Sequence, residues 1–234
     1  MSVVLGGSSA ARHGPSVSSS LPGMMRFAPP AGGFLEVVCG PMFSGKSEEL
    51  IRRVRRSEIA GLRVAIFKPA IDDRFDADDV VSHAGSRMRA WPVRSAGELR
   101  DRVGRSQVVG IDEAQFFDSD LIDIVRGLAA GGRRVIVAGL DCDYRGLPFG
   151  PMPTLLAIAE FVDKLQAVCH RCGGPGTMTQ RLVNGEPAPF DGATIVVGAA
   201  EQYEARCRGC HRLDDPRVPL WEPDRETDSH RLWV

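Results

Sequence analysis

Apolar positions between Phe34 and Leu165 follow two alternating periods. Short β-rich runs at Phe34–Cys39, Arg63–Lys68, Val108–Ile111 and Arg134–Ala138 are separated by Ser47–Ala60, Glu98–Val103 and Leu121–Ala129, which carry helical spacing. Strand, helix, strand repeated in this order implies right-handed crossovers, and so a mostly parallel sheet covered on both faces. The expected fold is α/β over residues 34–165. Beyond it the pattern breaks into Cys pairs, Gly and Pro clusters and two β-rich runs, Thr177–Val183 and Thr194–Val197. That change predicts a separate small lobe over 166–213.

The two ends follow neither period. Residues 1–33 hold seven Ser, six Gly, four Pro and no acidic residue, and Leu21, Met24, Met25 and Phe27 are too scattered to build a buried face. They read as a disordered arm. An organellar transit peptide is disfavoured because only Arg12 and Arg26 are basic and no amphipathic period is present; translation from Met24 or Met25 is an alternative start. Residues 214–234, with Pro216, Pro219 and Pro223, read as a flexible tail.

Composition narrows the function classes. At 234 residues the chain has room for one α/β core and a small satellite. No apolar run reaches the ~18–20 residues of a membrane span. The 29 basic and 30 acidic side chains leave a net charge of -1, so no global positive field recruits nucleic acid or an anionic membrane. Neither is an expected partner, and the run Arg52–Arg56 reads as the solvated face of a helix. Only three of the basic residues are lysines, Lys46, Lys68 and Lys164, so a lysine here is an informative letter.

Three constellations carry chemistry. The first is Gly40-Pro41-Met42-Phe43-Ser44-Gly45-Lys46-Ser47, a G-x-x-x-x-G-K-S loop between a strand and a helix. Its glycines let successive N–H groups converge on phosphate oxygens, Lys46 supplies a compact charge, and the Ser47 hydroxyl suits Mg²⁺. The second is Asp112-Glu113, which closes an apolar strand and so falls at the carboxyl edge of a parallel sheet. Asp112 is a candidate for the Mg²⁺ shell, and Glu113 a candidate general base or orienter of a hydrolytic water. The third is Cys169-x-x-Cys172 and Cys207-x-x-Cys210, separated by 34 residues. Two such turns build a closed tetrahedral Zn²⁺ site, and the long spacing projects a loop from it. His170 and His211 are spare donors, while Cys39 and Cys142 read as small packing residues.

Taken in order, GPMFSGKS, FKPAIDDRF (67–75), SHAG (82–85), IDEAQFF (111–117), GLDCDYRGLPFG (139–150) and the two Cys pairs resemble the small, zinc-containing thymidine kinases, with coverage from about Phe34 to His211. The resemblance implies transfer of the ATP γ-phosphoryl group to the 5′-hydroxyl of thymidine in nucleoside salvage, with Glu113 as the base and Lys46 and Arg74 stabilising charge. It implies ATP contacts from Gly40–Ser47, Asp72, Asp112 and Gln115, and Mg²⁺ held by Ser47, Asp72 and Asp112. It further implies a nucleoside pocket of Met42, Phe116, Leu140, Tyr144, Phe149, Thr179, Thr194, Ile195, Val196, Val197, Gly198 and Tyr203. From sequence alone Phe149 reads as core. The loop between the Cys pairs is then a zinc-anchored lid. A homotetramer, feedback by thymidine triphosphate and a cytoplasmic location are implied in the same way. Three departures stand out: Ala84 where Asn is expected, Tyr144 in place of a common Phe, and the Ser- and Gly-rich N-terminal arm. The competing reading is a DNA-dependent ATPase that combines a phosphate loop with a zinc module.

Overall fold

The computed structural model describes residues 32–70, 79–81, 87–194 and 201–213. Asp72, Arg74, the SHAG segment, Ile195, Val196, Val197 and Gly198 therefore lie outside the described residues, as do residues 1–31 and the tail from 214.

The first part of the chain runs β1 (Phe34–Cys39), α1 (Lys46–Ile59), β2 (Val64–Pro69), β3 (Asp79–Val81), β4 (Arg87–Arg89), β5 (Trp91–Val93), α2 (Ala96–Arg102), β6 (Val108–Ile111), α3 (Asp120–Ala130) and β7 (Arg134–Gly139). It continues through α4 (Met152–Ile158) and β8 (Phe161–Lys164). Six of these strands form one sheet in the order β5-β2-β6-β7-β1-β8, with every neighbouring pair parallel. The fold is α/β, as expected. β3 and β4 pair separately as a short antiparallel hairpin.

Each strand divides its side chains between two faces. Leu35, Val37, Val109, Ile111, Val135 and Val137 join one core with residues of α2, α3 and α4, including Leu99, Leu121, Val125 and Leu155. Val38, Val108, Ile136 and Ala138 join the other with Leu50, Ile51 and Val54 of α1. Gly110 lets α1 sit down on the sheet, because a Cβ there would lie only 3.2 to 3.3 Å from Val54, Ile66 and Leu50.

The α1 face also corrects one expectation. Arg53 is not part of a solvated stripe: it donates to Glu36 at 2.6 Å, to Glu49 at 2.7 Å and to Asp163 at 2.7 Å, tying α1 to β1 and β8. Glu36 is fully buried in β1 and also accepts from Arg134 at 2.6 Å. A carboxylate that deep is tolerable only because two guanidiniums meet it. Arg52, by contrast, is exposed as expected.

The remaining elements form the Cys-rich lobe. β9 (Ala167–Val168) and β10 (Pro175–Gly176) pair antiparallel around Cys169 and Cys172. β11 (Met178–Val183) pairs antiparallel with β12 (Glu186–Pro187) and with β13 (Glu201–Arg206). The expected Thr177–Val183 run is thus β11, while residues 195–197 of the expected Thr194–Val197 run lie outside the described residues.

Candidate active site

The parallel sheet delivers its functional loops to one edge. Chain direction puts the residues after β1, β6 and β7 at the same carboxyl end, with β7 between the other two. Gly40 leaves β1 at φ 141, and a Cβ there would meet the Leu165 carbonyl oxygen at 2.4 Å, so only glycine fits. Phe43 at φ 66 and Gly45 at φ 82 then turn the backbone into α1. Within the turn, Ser44 Oγ and Lys46 Nζ both donate to the Pro41 carbonyl, at 2.8 and 2.7 Å. Lys46 is buried, which lowers its pKa, and the carboxylates of Glu113, Asp112 and Asp141 pull the other way.

The acidic step follows β6. Asp112 is buried and accepts a hydrogen bond from Ser47, joining the phosphate loop to β6. Burial, reinforced by the neighbouring Glu113 charge, pushes the Asp112 carboxyl up to about 7. Glu113 sits in the left-handed region at φ 50 and ψ 41, a conformation uncommon for a side chain of this kind and concentrated at functional sites. A single 3-10 turn, Ala114–Phe116, follows and brings Gln115 alongside. Gln115 Nε2 donates to Glu113 Oε2 at 2.5 Å, and Gln115 Oε1 accepts the Leu140 N–H at 2.9 Å.

A second wall rises from the loop after β7 and from β11. Phe116 and Phe149 meet edge to face at 5.6 Å, and Phe149 is half-buried, not core. Tyr144 is buried beneath the guanidiniums of Arg181 and Arg145, 5.1 and 5.6 Å from its ring. Its hydroxyl donates to the Pro189 carbonyl at 2.8 Å, with the Gly192 carbonyl at 3.1 Å. Arg145 reaches Thr194 Oγ1 at 2.9 Å, and Arg181 reaches the Ala193 carbonyl. Tyr203 on β13 is half-buried and lies opposite Arg181 in the register. Thr179, buried on β11, accepts the Met42 N–H at 3.0 Å.

The four cysteines converge as their spacing requires. The Sγ atoms of Cys169, Cys172, Cys207 and Cys210 all lie within 4.8 Å of one another, and none is in a disulfide. Cys172 and Cys207 Sγ are 3.7 Å apart, close to the edge of about 3.8 Å that a tetrahedron with Zn–S bonds near 2.3 Å has. Burial pushes the Cys169 thiol up, yet backbone hydrogen bonds from Cys207, Cys172 and Arg171 bring it down to about 6, while Cys210 is pushed up to about 12 by burial and its sulfur neighbours. The donor set suits a soft, thiolate-bound cation. His211 is not part of it: its Nε2 lies 2.9 Å from the Tyr144 carbonyl oxygen, and a further hydrogen bond joins the ring to the Thr179 backbone. His170 is exposed beside Glu204 at 3.6 Å.

Residues 33–211 match the thymidine kinase family. The chain belongs to that family. Among solved structures, domain III of the Thermotoga maritima replication initiation protein DnaA aligns with TM-score 0.38 and 13% identity, over 58% of this chain and 56% of that one. The chain thus spans little more than half the length of that structure.

Read as a kinase, the fold brings Gly40–Ser47 together with Asp112, Glu113 and Gln115, and sets Thr179 against Met42. Leu140 and Phe149 belong to the same edge: the Leu140 N–H bonds Gln115, and a Cβ on Gly150 would meet the Gln115 carbonyl at 2.3 Å. Three features escaped the sequence reading. Asp141 is buried and ion-pairs with Lys164 at 2.6 Å, a role that the strand-end position after β7 signals by the same rule that marks Asp112. His211 bridges the cysteine knuckle to Tyr144 and Thr179. Gln115 spends its amide on Glu113 and Leu140, which no local pattern announces. No described helix is long and apolar enough to cross a membrane.

Proposed function

We propose that this kinase transfers the γ-phosphoryl group of ATP to the 5′-hydroxyl of thymidine, giving thymidine monophosphate and ADP. The observation that carries the reading is the shared carboxyl edge of the sheet, where the phosphate loop after β1 and the Asp112-Glu113 step after β6 are joined by the Ser47–Asp112 hydrogen bond. ATP then lies along Gly40–Ser47, where loop N–H groups and the start of α1 face its phosphates. Thymidine lies between Phe116, Phe149 and the Thr179 side of the Cys-rich lobe. Glu113 takes the 5′-hydroxyl proton as that oxygen attacks the γ-phosphorus, the bond to the ADP oxygen breaks, and Lys46 meets the charge that spreads over the transferring oxygens. Asp72 and Arg74 are assigned to metal and phosphate contacts through the family motif.

Two metals fit the residues. The Ser47 hydroxyl and the Asp112 carboxylate, already hydrogen-bonded to each other, are a hard oxygen pair suited to Mg²⁺, and Mg²⁺ bound there would neutralise phosphate charge. The four thiols would hold a structural Zn²⁺, whose place is to fix the ends of the loop that covers the nucleoside. Within that loop, Thr194–Gly198 are assigned to the base pocket, where backbone donors and acceptors discriminate against deoxycytidine, and Tyr203 to a nucleoside contact. The salvage role, cytoplasmic location, homotetramer and thymidine triphosphate feedback rest on the family alone.

The test is Glu113→Gln. Nucleotide binding is expected to persist while transfer falls roughly 100- to 10,000-fold. Unchanged turnover would remove Glu113 from the chemistry.

A further inference from the structure

We infer that Gln115 is a positioning residue for the Glu113 carboxylate. This rests on the kinase reading above, in which Glu113 is the base. The orientation of the Gln115 amide follows from its neighbours. The Leu140 N–H points at one end of the amide from 2.9 Å, so that end is the oxygen. The other end is then Nε2, and it faces Glu113 Oε2 at 2.5 Å. Rotating the amide would set N–H against N–H and oxygen against carboxylate. The side chain is 2% exposed, so water does not offer either end a substitute partner.

The surroundings are shaped to hold this amide. A Cβ on Gly139 would lie 2.8 Å from Gln115 Oε1 and 2.8 Å from Met152 Sδ. One on Gly150, itself at φ 50, would lie 2.3 Å from the Gln115 carbonyl. Two glycines and the first N–H beyond β7 therefore fix Gln115 against the rigid sheet. Glu113 stands on a left-handed backbone just beyond the end of β6. Gln115 transfers the rigidity of β7 to that carboxylate. A base held in one orientation by a buried amide avoids the rate loss that follows when a reacting group is misplaced by about 1 Å, which is on the order of 100-fold.

The experiment measures steady-state thymidine phosphorylation for Gln115→Leu and Gln115→Glu, with Mg·ADP affinity and thermal midpoint recorded for each. Gln115→Glu keeps the length and an oxygen for the Leu140 N–H but can donate to Glu113 only while its carboxyl is protonated, so its kcat is read across pH. Both variants are expected to bind Mg·ADP as the unsubstituted protein does, and to lose kcat by roughly tenfold to 100-fold with KM for ATP little changed. Full kcat in Gln115→Leu, or in Gln115→Glu at a pH where its carboxyl is ionised, or an ATP KM raised tenfold at unchanged kcat, overturns the inference; the last result makes Gln115 a nucleotide contact. If Gln115→Leu fails to fold, Gln115→Glu alone decides. Absence of thymidine phosphorylation by the unsubstituted protein would instead count against the proposed function.

Discussion

Thr179 Oγ1 accepts the backbone N–H of Met42 at 3.0 Å, so the third residue of the phosphate loop is tied to a buried side chain of β11 in the Cys-rich lobe. Because the same threonine is joined through its backbone to His211, beside Cys210, the phosphate loop and the cysteine cluster share a two-residue bridge. Thr179→Val keeps the shape and removes the acceptor, at a cost of about 1 kcal/mol for a partly buried bond. Calorimetric titration should show Mg·ATP affinity reduced about fivefold in Thr179→Val and restored in Thr179→Ser. Equal affinity in all three proteins would show that the bridge carries no coupling.

Tyr144→Phe isolates the hydroxyl that sets this chain apart from the common family pattern. The ring and its two arginine contacts remain, while the bond to the Pro189 carbonyl is lost. The segment from Pro189 to Thr194 keeps its Arg145 and Arg181 ties. The thymidine KM should rise about threefold to tenfold with kcat nearly constant, the effect of one lost hydrogen bond on binding. A fall in kcat at constant KM would place Tyr144 in the chemical step.

The raised Asp112 carboxyl makes the ion-free protein sensitive to pH. Its folded value is about 7 against an ordinary 3.8, so between those limits the folded state holds a proton that the unfolded chain has released. Stability should fall as pH rises from 3.8 towards 7 and level off above it. Chemical denaturation in EDTA at several pH values reads this slope, and Asp112→Asn should flatten it. A slope of opposite sign would contradict the assignment.

Metal analysis of the purified protein should find one Zn²⁺ per chain, and Cys172→Ser should lose it. Without the cation four close thiols no longer hold the two knuckles together, so limited proteolysis should open the β11–β13 region first, with thymidine phosphorylation lost in parallel. Full activity in a zinc-free preparation would cut the link between the cluster and catalysis.

The distinction between what was legible and what was not is physical. β1, α1, β6 and β7 announce themselves because both faces of a central parallel strand are apolar, and because a phosphate loop dictates its own glycines. β5 is three residues long with Pro92 at its centre, and β8 alternates half-buried with exposed residues at the sheet edge; neither has a pattern to read. The helix α4 is only seven residues. Arg53 looked solvated because its partners, Glu36 and Asp163, are 17 and 110 residues away. Lys68 and Lys164, notable in sequence only for the scarcity of lysine, sit at the carboxyl ends of β2 and β8, and Lys46 opens α1 after the phosphate loop. The chemistry of Lys46, Glu113 and the cysteines was visible as residue types at a spacing. The bonds that orient them, Gln115 to Leu140, Thr179 to Met42 and His211 to Tyr144, span 25, 137 and 67 residues and exist only in the fold.

One measurement bears most directly on the activity: purified protein is incubated with Mg·ATP and, separately, thymidine, deoxyuridine, deoxycytidine, single-stranded DNA or nothing, and the products are resolved by chromatography. Thymidine should yield its monophosphate and an equal amount of ADP, deoxyuridine a smaller yield, and deoxycytidine almost none. ADP release that rises only with DNA, with no nucleoside monophosphate formed, would contradict the kinase chemistry assigned to Glu113 and make the protein a DNA-dependent ATPase.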